Sequence, residues 1–175
     1  NTPEMMTFYS TLTGIPYPWD KYSQIVVRDY VSGAMENTTA TVHAEDAQQK
    51  KGQLIDNNEW ESTIAHELFH HWFGDLVTTE SWSNLTVNES FATYSVYLWF
   101  EHKYGKDKAD ANMYNDVQTY MQSNRADKDK VRFYYLDKED MFDTVSYHKG
   151  NAILHMFRDI LGDKAFFQGR NTFLI

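Results

Sequence analysis

Cysteine is absent from the chain, which excludes a disulfide framework, a thiolate metal site and a cysteine nucleophile. Positive charge is scarce too, with 16 Lys and Arg against 25 Asp and Glu and a formal net charge of −9. Nucleic acids and anionic membranes are bound by clustered cations that displace counterions, so neither is expected as a partner. The deficit mildly favours cationic ligands such as a peptide amino terminus, although such a surface more commonly serves solubility. No apolar run approaches the roughly 18 residues of a bilayer span, so no membrane segment is expected. Repeats and low-complexity tracts are missing, and nothing fixes the compartment.

What is present is enough apolar material for one domain: 175 residues, of which 42% are hydrophobic. The chain opens at Asn1 without an initiator Met and closes on Phe173-Leu174-Ile175 with an apolar segment still running. Both ends are therefore expected to be cuts in a longer protein.

Thr2-Pro3-Glu4 reads as a helix start, with Gly14 as its stop. Gln24 to Arg28 reads as a strand. Gly33 to Asn37 interrupts it, and Thr38 to His43 resumes with β-branched residues, which suggests a sheet edge with a bulge or turn at Gly33. Ala44 to Asp56 is polar and reads as a loop. The clearest helix follows: Asp56 and Glu59 fit a capping box, Trp60, Ile64, Leu68 and Trp72 recur every four residues, and Gly74 supplies the end. A second helix, Thr86 to Tyr104, carries Val87, Phe91, Tyr94 and Leu98 on one stripe, and further helices are expected near Ala109–Gln122 and His148–Leu161. Strands early and helices later indicate an α+β domain.

Within the clearest helix stands His66-Glu67-Leu68-Phe69-His70, the HExxH pattern. Residues four apart lie nearly above one another on a helix, so both imidazoles can point at one metal ion. Glu67 lies about 100° around from His66, beside the metal, where it can reach a bound water and take its proton. A hydrolytic zinc takes three protein ligands, and Glu89 on the second helix is read as the third. A chance pair of surface histidines is the bland alternative. Here His66 and His70 flank Leu68 and Phe69, where unpartnered imidazoles would be costly.

On these residues the chain, from about Thr2 to Leu174, resembles the aminopeptidase N family of zinc peptidases, the gluzincins, in which eighteen residues separate HExxH from the glutamate ligand. Eighteen residues separate His70 from Glu89 here. The longer run from His66 to Thr78, then Trp82, Leu85 and Asn88 to Ala92, matches as well. The resemblance implies a thermolysin-like catalytic domain, a small mixed sheet beside a helical lobe, with one zinc ion held by His66, His70 and Glu89. The family's exopeptidase signature stands intact as Gly33-Ala34-Met35-Glu36-Asn37. It implies that Glu36 binds the free α-ammonium of a peptide while the backbone at Gly33 and Ala34 lies along the substrate. Without the resemblance, Glu36 would read as a turn carboxylate. Tyr147-His148-Lys149-Gly150 resembles the family's YxKG element and assigns to Tyr147 a hydrogen bond to the oxyanion. Phe142-Asp143 and His155 to Arg158 also fit. By the same resemblance, residues 1–161 would form the catalytic domain, 162–175 would begin a following helical domain, and an amino-terminal β-rich domain that contributes to amine binding would be missing, so the fragment alone is expected to be weakly active or inactive.

Four positions depart from the family pattern: His71 replaces a usual Gln, Asp75 a usual Asn, Ser90 a usual Gly, and Val96 a commonly acidic residue. Val96 lies two turns beyond Glu89 on one face, so a supporting hydrogen bond to the metal site is expected to be lost unless Asp75 or His71 compensates. His71 is read as support or packing rather than as a ligand. His43, His102, His148 and His155 are read as ordinary surface or core residues. The activity expected is hydrolysis of the amino-terminal peptide bond by zinc-activated water with Glu67 as general base. An epoxide-hydrolysing or catalytically silent member of the same family is the alternative. A zinc endopeptidase would lack the signature at Gly33–Asn37, and a non-haem iron site would leave Glu67 and Glu36 without roles.

Overall fold

A computed structural model describes residues 1–56, 58, 60–125 and 134–172. Helix α1 (Thr2–Thr13) begins with proline in its first turn and ends on Gly14, whose φ of 73° is the left-handed geometry that glycine adopts without strain. Three short strands follow: β1 (Ser23–Val27), β2 (Ala34–Met35) and β3 (Ala40–Ala44). They form one mixed sheet in the order β1-β3-β2, with β1 parallel and β2 antiparallel to the central β3. Within the expected interruption at Gly33–Asn37, two residues form a strand, since Ala34 pairs with His43 and Met35 with Val42. The chain bends at residues 31–33, as expected at Gly33, and turns again after β2, where Ala40 N–H donates to Asn37 C=O and Thr39 takes φ 67°.

The segment expected to be a loop contains a 3₁₀ turn at Glu45–Ala47 and one helical turn, α2 (Gln53–Asp56). The Glu59 half of the expected capping box lies outside the described residues. Helix α3 (Glu61–Phe69) is shorter than its apolar repeat suggested, and His70 stands just beyond its end rather than inside it. The chain tightens there because His71 and Trp72 N–H groups donate to carbonyls three residues back, and Gly74, at φ 140°, turns its N–H to Val77 C=O at 2.7 Å. A Cβ on Gly74 would stand 2.9 Å from His70 Nδ1, so glycine both permits the turn and leaves room for the imidazole.

Helix α4 (Thr86–Tyr104) is the hub of the helical lobe. It packs against α3, α5 (Lys106–Gln122), α6 (Gly150–Leu161) and the wide turn Val145–Lys149. The single stripe expected on α4 understates its burial, because every residue from Asn88 to Phe100 except Phe91 is buried, as in a core helix surrounded on all sides. Helix α7 (Asp163–Thr172), in the segment that the resemblance gave to a following helical domain, packs on α6 and brings Phe166 against Tyr94. Aromatic rings dominate the core: Phe69, Phe73 and Phe91 stack in succession at 5.5 and 4.5 Å, and Tyr9 meets Phe69 edge-on at 4.9 Å.

A buried carboxylate at the edge of this core is held by neutral donors. Glu61, at the start of α3, accepts from Asn1 Nδ2 (2.7 Å), Asn58 Nδ2 (2.8 Å), Trp99 Nε1 (2.9 Å) and Tyr104 Oη (2.6 Å). Four donors satisfy its oxygens and tie α1, α3 and α4 together, fixing the angle at which α3 presents its histidines to α4. No helix among the described residues is long and apolar enough to cross a membrane.

Candidate active site

Helix α3 and the turn after it supply two imidazoles, and α4 supplies a carboxylate facing them. His66 Nε2 lies 3.0 Å from His70 Nε2 and 3.2 Å from Glu89 Oε2, while His70 Nε2 is 3.4 Å from the same oxygen. Donor atoms bound at roughly 2.0–2.1 Å around a tetrahedral zinc stand about 3.3 Å apart, so the triangle matches one such ion. The protons are arranged to suit it. His70 Nδ1–H donates to Phe73 C=O at 2.9 Å, which leaves the Nε2 lone pair on the triangle. The electrostatics agree. Burial works against the charge of Glu89, yet His70 and His66 beside it hold its carboxyl below the usual carboxylate range. Burial alone would depress His70, but Glu89, Glu36 and Glu67 outweigh it and raise its pKa. A cluster that stabilises positive charge where two imidazoles and a carboxylate meet has the donor set for a divalent ion.

Glu67 borders the triangle. Its Oε2 is buried with no hydrogen-bond partner among the described residues, and burial pushes the carboxyl up to about 7, ahead of the opposing pull of His66 and His70. An orphaned buried acceptor of that pKa is suited to receive a proton at neutral pH. Glu36, at the end of β2, sets Oε1 4.0 Å from His70 Nδ1, and Gly33, Ala34 and Met35 line the same cleft of about 430 Å³. Tyr147 closes the opposite side, its ring stacked on His66 at 6.0 Å and 15°. Burial, reinforced by the Glu89 charge, pushes the Tyr147 hydroxyl well above its ordinary pKa and keeps it a neutral donor. Asn37 lies one residue further along, its C=O closing the β2–β3 turn.

The departures fall into place differently from expectation. Neither Asp75 nor His71 supports the imidazoles' ring nitrogens in place of the acid missing at Val96. Thr93, one helical turn beyond Glu89, brings Oγ1 to 3.5 Å from His66 Nδ1. His71 instead accepts Thr39 N–H on Nε2 at 3.1 Å, with Nδ1 3.3 Å from Glu67 C=O, so a neutral ring pins the β2–β3 turn to α3. Burial lowers its pKa, consistent with that tautomer. Asp75 lies 3.8 Å from the same ring, and burial pushes its carboxyl up to about 6. His148, expected to be ordinary, lines the cleft with Nδ1 3.3 Å from Asp116 Oδ1. Thr93 was findable from its i+4 spacing to Glu89, whereas no pattern in the sequence points to Asp116.

A family model described as "Peptidase family M1 domain" matches residues 1–175. The chain belongs to that family. Among curated M1-like relatives it is 32% identical over 174 residues to endoplasmic reticulum aminopeptidase 2 of Bos taurus, covering 95% of this chain and 18% of the relative. It is 34% identical over 179 residues to tricorn protease-interacting factor F2 of Thermoplasma volcanium, covering 95% of this chain and 22% of that protein. The chain thus spans about a fifth of the length of the curated relatives it matches. A solved structure of a mutant M1 zinc metallopeptidase from Deinococcus radiodurans with a Tyr-Ser-Ala substrate superposes with a TM-score of 0.81 at 26% identity, covering 99% of this chain and 36% of that one. The unmutated form of the same enzyme gives 0.78 at 28% identity, with the same coverage. The α+β fold, a small mixed sheet beside a helical lobe, is that of an M1 peptidase domain.

Proposed function

We propose that this chain carries the catalytic centre of a zinc-dependent aminopeptidase, which hydrolyses the first peptide bond of peptides with a free amino terminus. The observation that carries the reading is the meeting of His66, His70 and Glu89 within 3.0–3.4 Å, with Glu67, whose buried Oε2 has no hydrogen-bond partner among the described residues, beside them in the same cleft. The aminopeptidase names of M1 relatives support it. Zinc held by those three residues would supply a Lewis acid and a water whose pKa is lowered to about 7.

The chain's own residues do the rest. Glu67 takes a proton from the attacking water and returns it to the departing amine nitrogen, a double duty suited to a carboxyl near pKa 7. Tyr147, held neutral, donates its hydroxyl proton as a hydrogen bond to the oxygen that becomes negative as the carbonyl is attacked. Glu36 accepts from the substrate's α-ammonium, so the charged amine must lie one residue from the scissile carbonyl. The outer edge of β2, with only β3 on its other side, offers backbone groups to an extended peptide.

Acetylating the amine removes a charge-assisted hydrogen bond and leaves Glu36 facing a bulky neutral group. In the full-length protein, free peptide should exceed its acetylated form by at least about a hundredfold in kcat/KM. Glu36→Ala should erase most of that preference with zinc retained. Equal cleavage of both peptides by the unmutated enzyme would make it an endopeptidase.

A further inference from the structure

We propose that Ser90 is a positioning residue for Tyr147, acting through the turn Val145–Lys149; this rests on the reading of Tyr147 given above. The turn is wound wider than an α-helix: Lys149 N–H donates to Thr144 C=O at 3.0 Å and Gly150 N–H reaches Val145 C=O, each five residues back. Such turns occur mostly as single insertions in α-helices, frequently at functional sites, and this one is held by side chains outside it. Asp143 holds the start, accepting Val145 N–H at 3.0 Å and Ser146 N–H at 3.1 Å through Oδ1. Ser90 holds the middle. Its hydroxyl, buried beside the ligand Glu89, donates to Ser146 C=O at 2.7 Å, the residue immediately before Tyr147.

Gly150 is the complement of this contact. A Cβ there would lie 1.7 Å from Ser90 Oγ and 2.6 Å from Ser90 Cβ, so the turn sits directly on Ser90 because residue 150 has no side chain. From the far side, Asp116 on α5 accepts from Asn151 Nδ2 at 2.7 Å and faces His148 at 3.3 Å. The hydroxyl of Ser90 therefore connects the helix that carries Glu89 to the turn that carries Tyr147, and fixes the height of the Tyr147 ring over His66.

The test is a double-mutant cycle in the full-length protein, with kcat, KM and zinc content measured for Ser90→Ala, Tyr147→Phe and the pair. Removing one buried hydrogen bond should lower kcat by up to about tenfold, with KM and zinc content unchanged. In the Tyr147→Phe background the same substitution should change kcat by less than about twofold, because the hydroxyl it positions is already gone. Ser90→Gly removes the same hydroxyl with less bulk against Gly150 and serves if Ser90→Ala does not fold. Equal losses in both backgrounds, or no loss in either, would overturn the role of Ser90 while leaving Tyr147 its own. Full turnover by Tyr147→Phe would instead overturn the reading of Tyr147 and this proposal with it.

Discussion

Around the cleft, the corner where α3 meets α4 is held by buried side chains, whereas Glu36 follows a two-residue edge strand and Tyr147 stands on a five-residue wide turn. Trp72, Trp99, Phe69 and Phe73 are almost completely buried in the core, and Glu61 at the start of α3 accepts from Trp99 and Tyr104 on α4. The opposing edges rest on a few polar bonds: Thr39 to His71, Ser90 to Ser146, and Asp143 to the start of its turn. The difference divides the labour. On the proposed reading, the metal ligands, whose geometry tolerates little displacement, are built into the core, while the groups proposed to meet the peptide stand where the backbone can adjust to it.

The largest expected effect lies at the corner. Glu67→Gln preserves shape and packing but removes the proposed base, so on the proposed function kcat should fall by about 10²–10⁴-fold with zinc retained. A loss under tenfold in steady-state turnover would show that the proton goes elsewhere. Glu61→Ala challenges the same corner through stability: the buried Trp99 indole N–H loses its acceptor, and denaturant unfolding should show a loss of about 2–3 kcal/mol or more. Little change would mean that ring packing alone fixes the α3–α4 angle.

At the edges the effects should be smaller. Gly150→Ala overpacks the contact with Ser90 and should cost about 1–3 kcal/mol, part of which the pair Ser90→Gly with Gly150→Ala should restore in thermal melts. Additive losses would mean that Thr86, whose Cγ2 a Cβ would meet at 3.2 Å, is the real obstacle. The smallest effect concerns the sheet. His43 on β3 is buried, and burial lowers its pKa from the ordinary value, so the unfolded chain binds a proton more readily than the folded one. Its contribution to stability is present above pH about 6.5 and is lost as pH falls toward the lower folded value. His43→Gln should therefore flatten the acid side of the stability profile, and an unchanged slope would remove His43 from that account.

The same contrast governs what was legible in the sequence. His66 and His70 could be read from helical spacing, because a four-residue interval has one geometric meaning on a helix, and Glu67 followed as their neighbour, whereas Glu89 rested on its place on a second helix and on the eighteen-residue spacing of the family it resembles. Helix α4 was found, but its burial was underread, since a helix surrounded on all sides carries no single apolar stripe. The early end of α3 was not legible, because Trp72 continues the four-residue repeat while its backbone has already left the α-helix. Glu36 and Tyr147 carry no periodic signal; only the family motifs pointed to them, as edge strands of two residues and wide turns leave no pattern of their own. Thr93 and Asp116 act across elements, and a contact between α5 and the turn before α6 exists only once the chain is folded.

The most direct measurement is zinc-edge X-ray absorption on the purified chain after loading with one equivalent of zinc. One tightly held ion should appear, with two imidazole nitrogens and a carboxylate oxygen at roughly 2.0–2.2 Å. The spectrum should lose one imidazole in His70→Ala. A protein that retains no zinc, or a zinc shell unchanged by that substitution, would contradict the assignment of His66, His70 and Glu89 as the metal site.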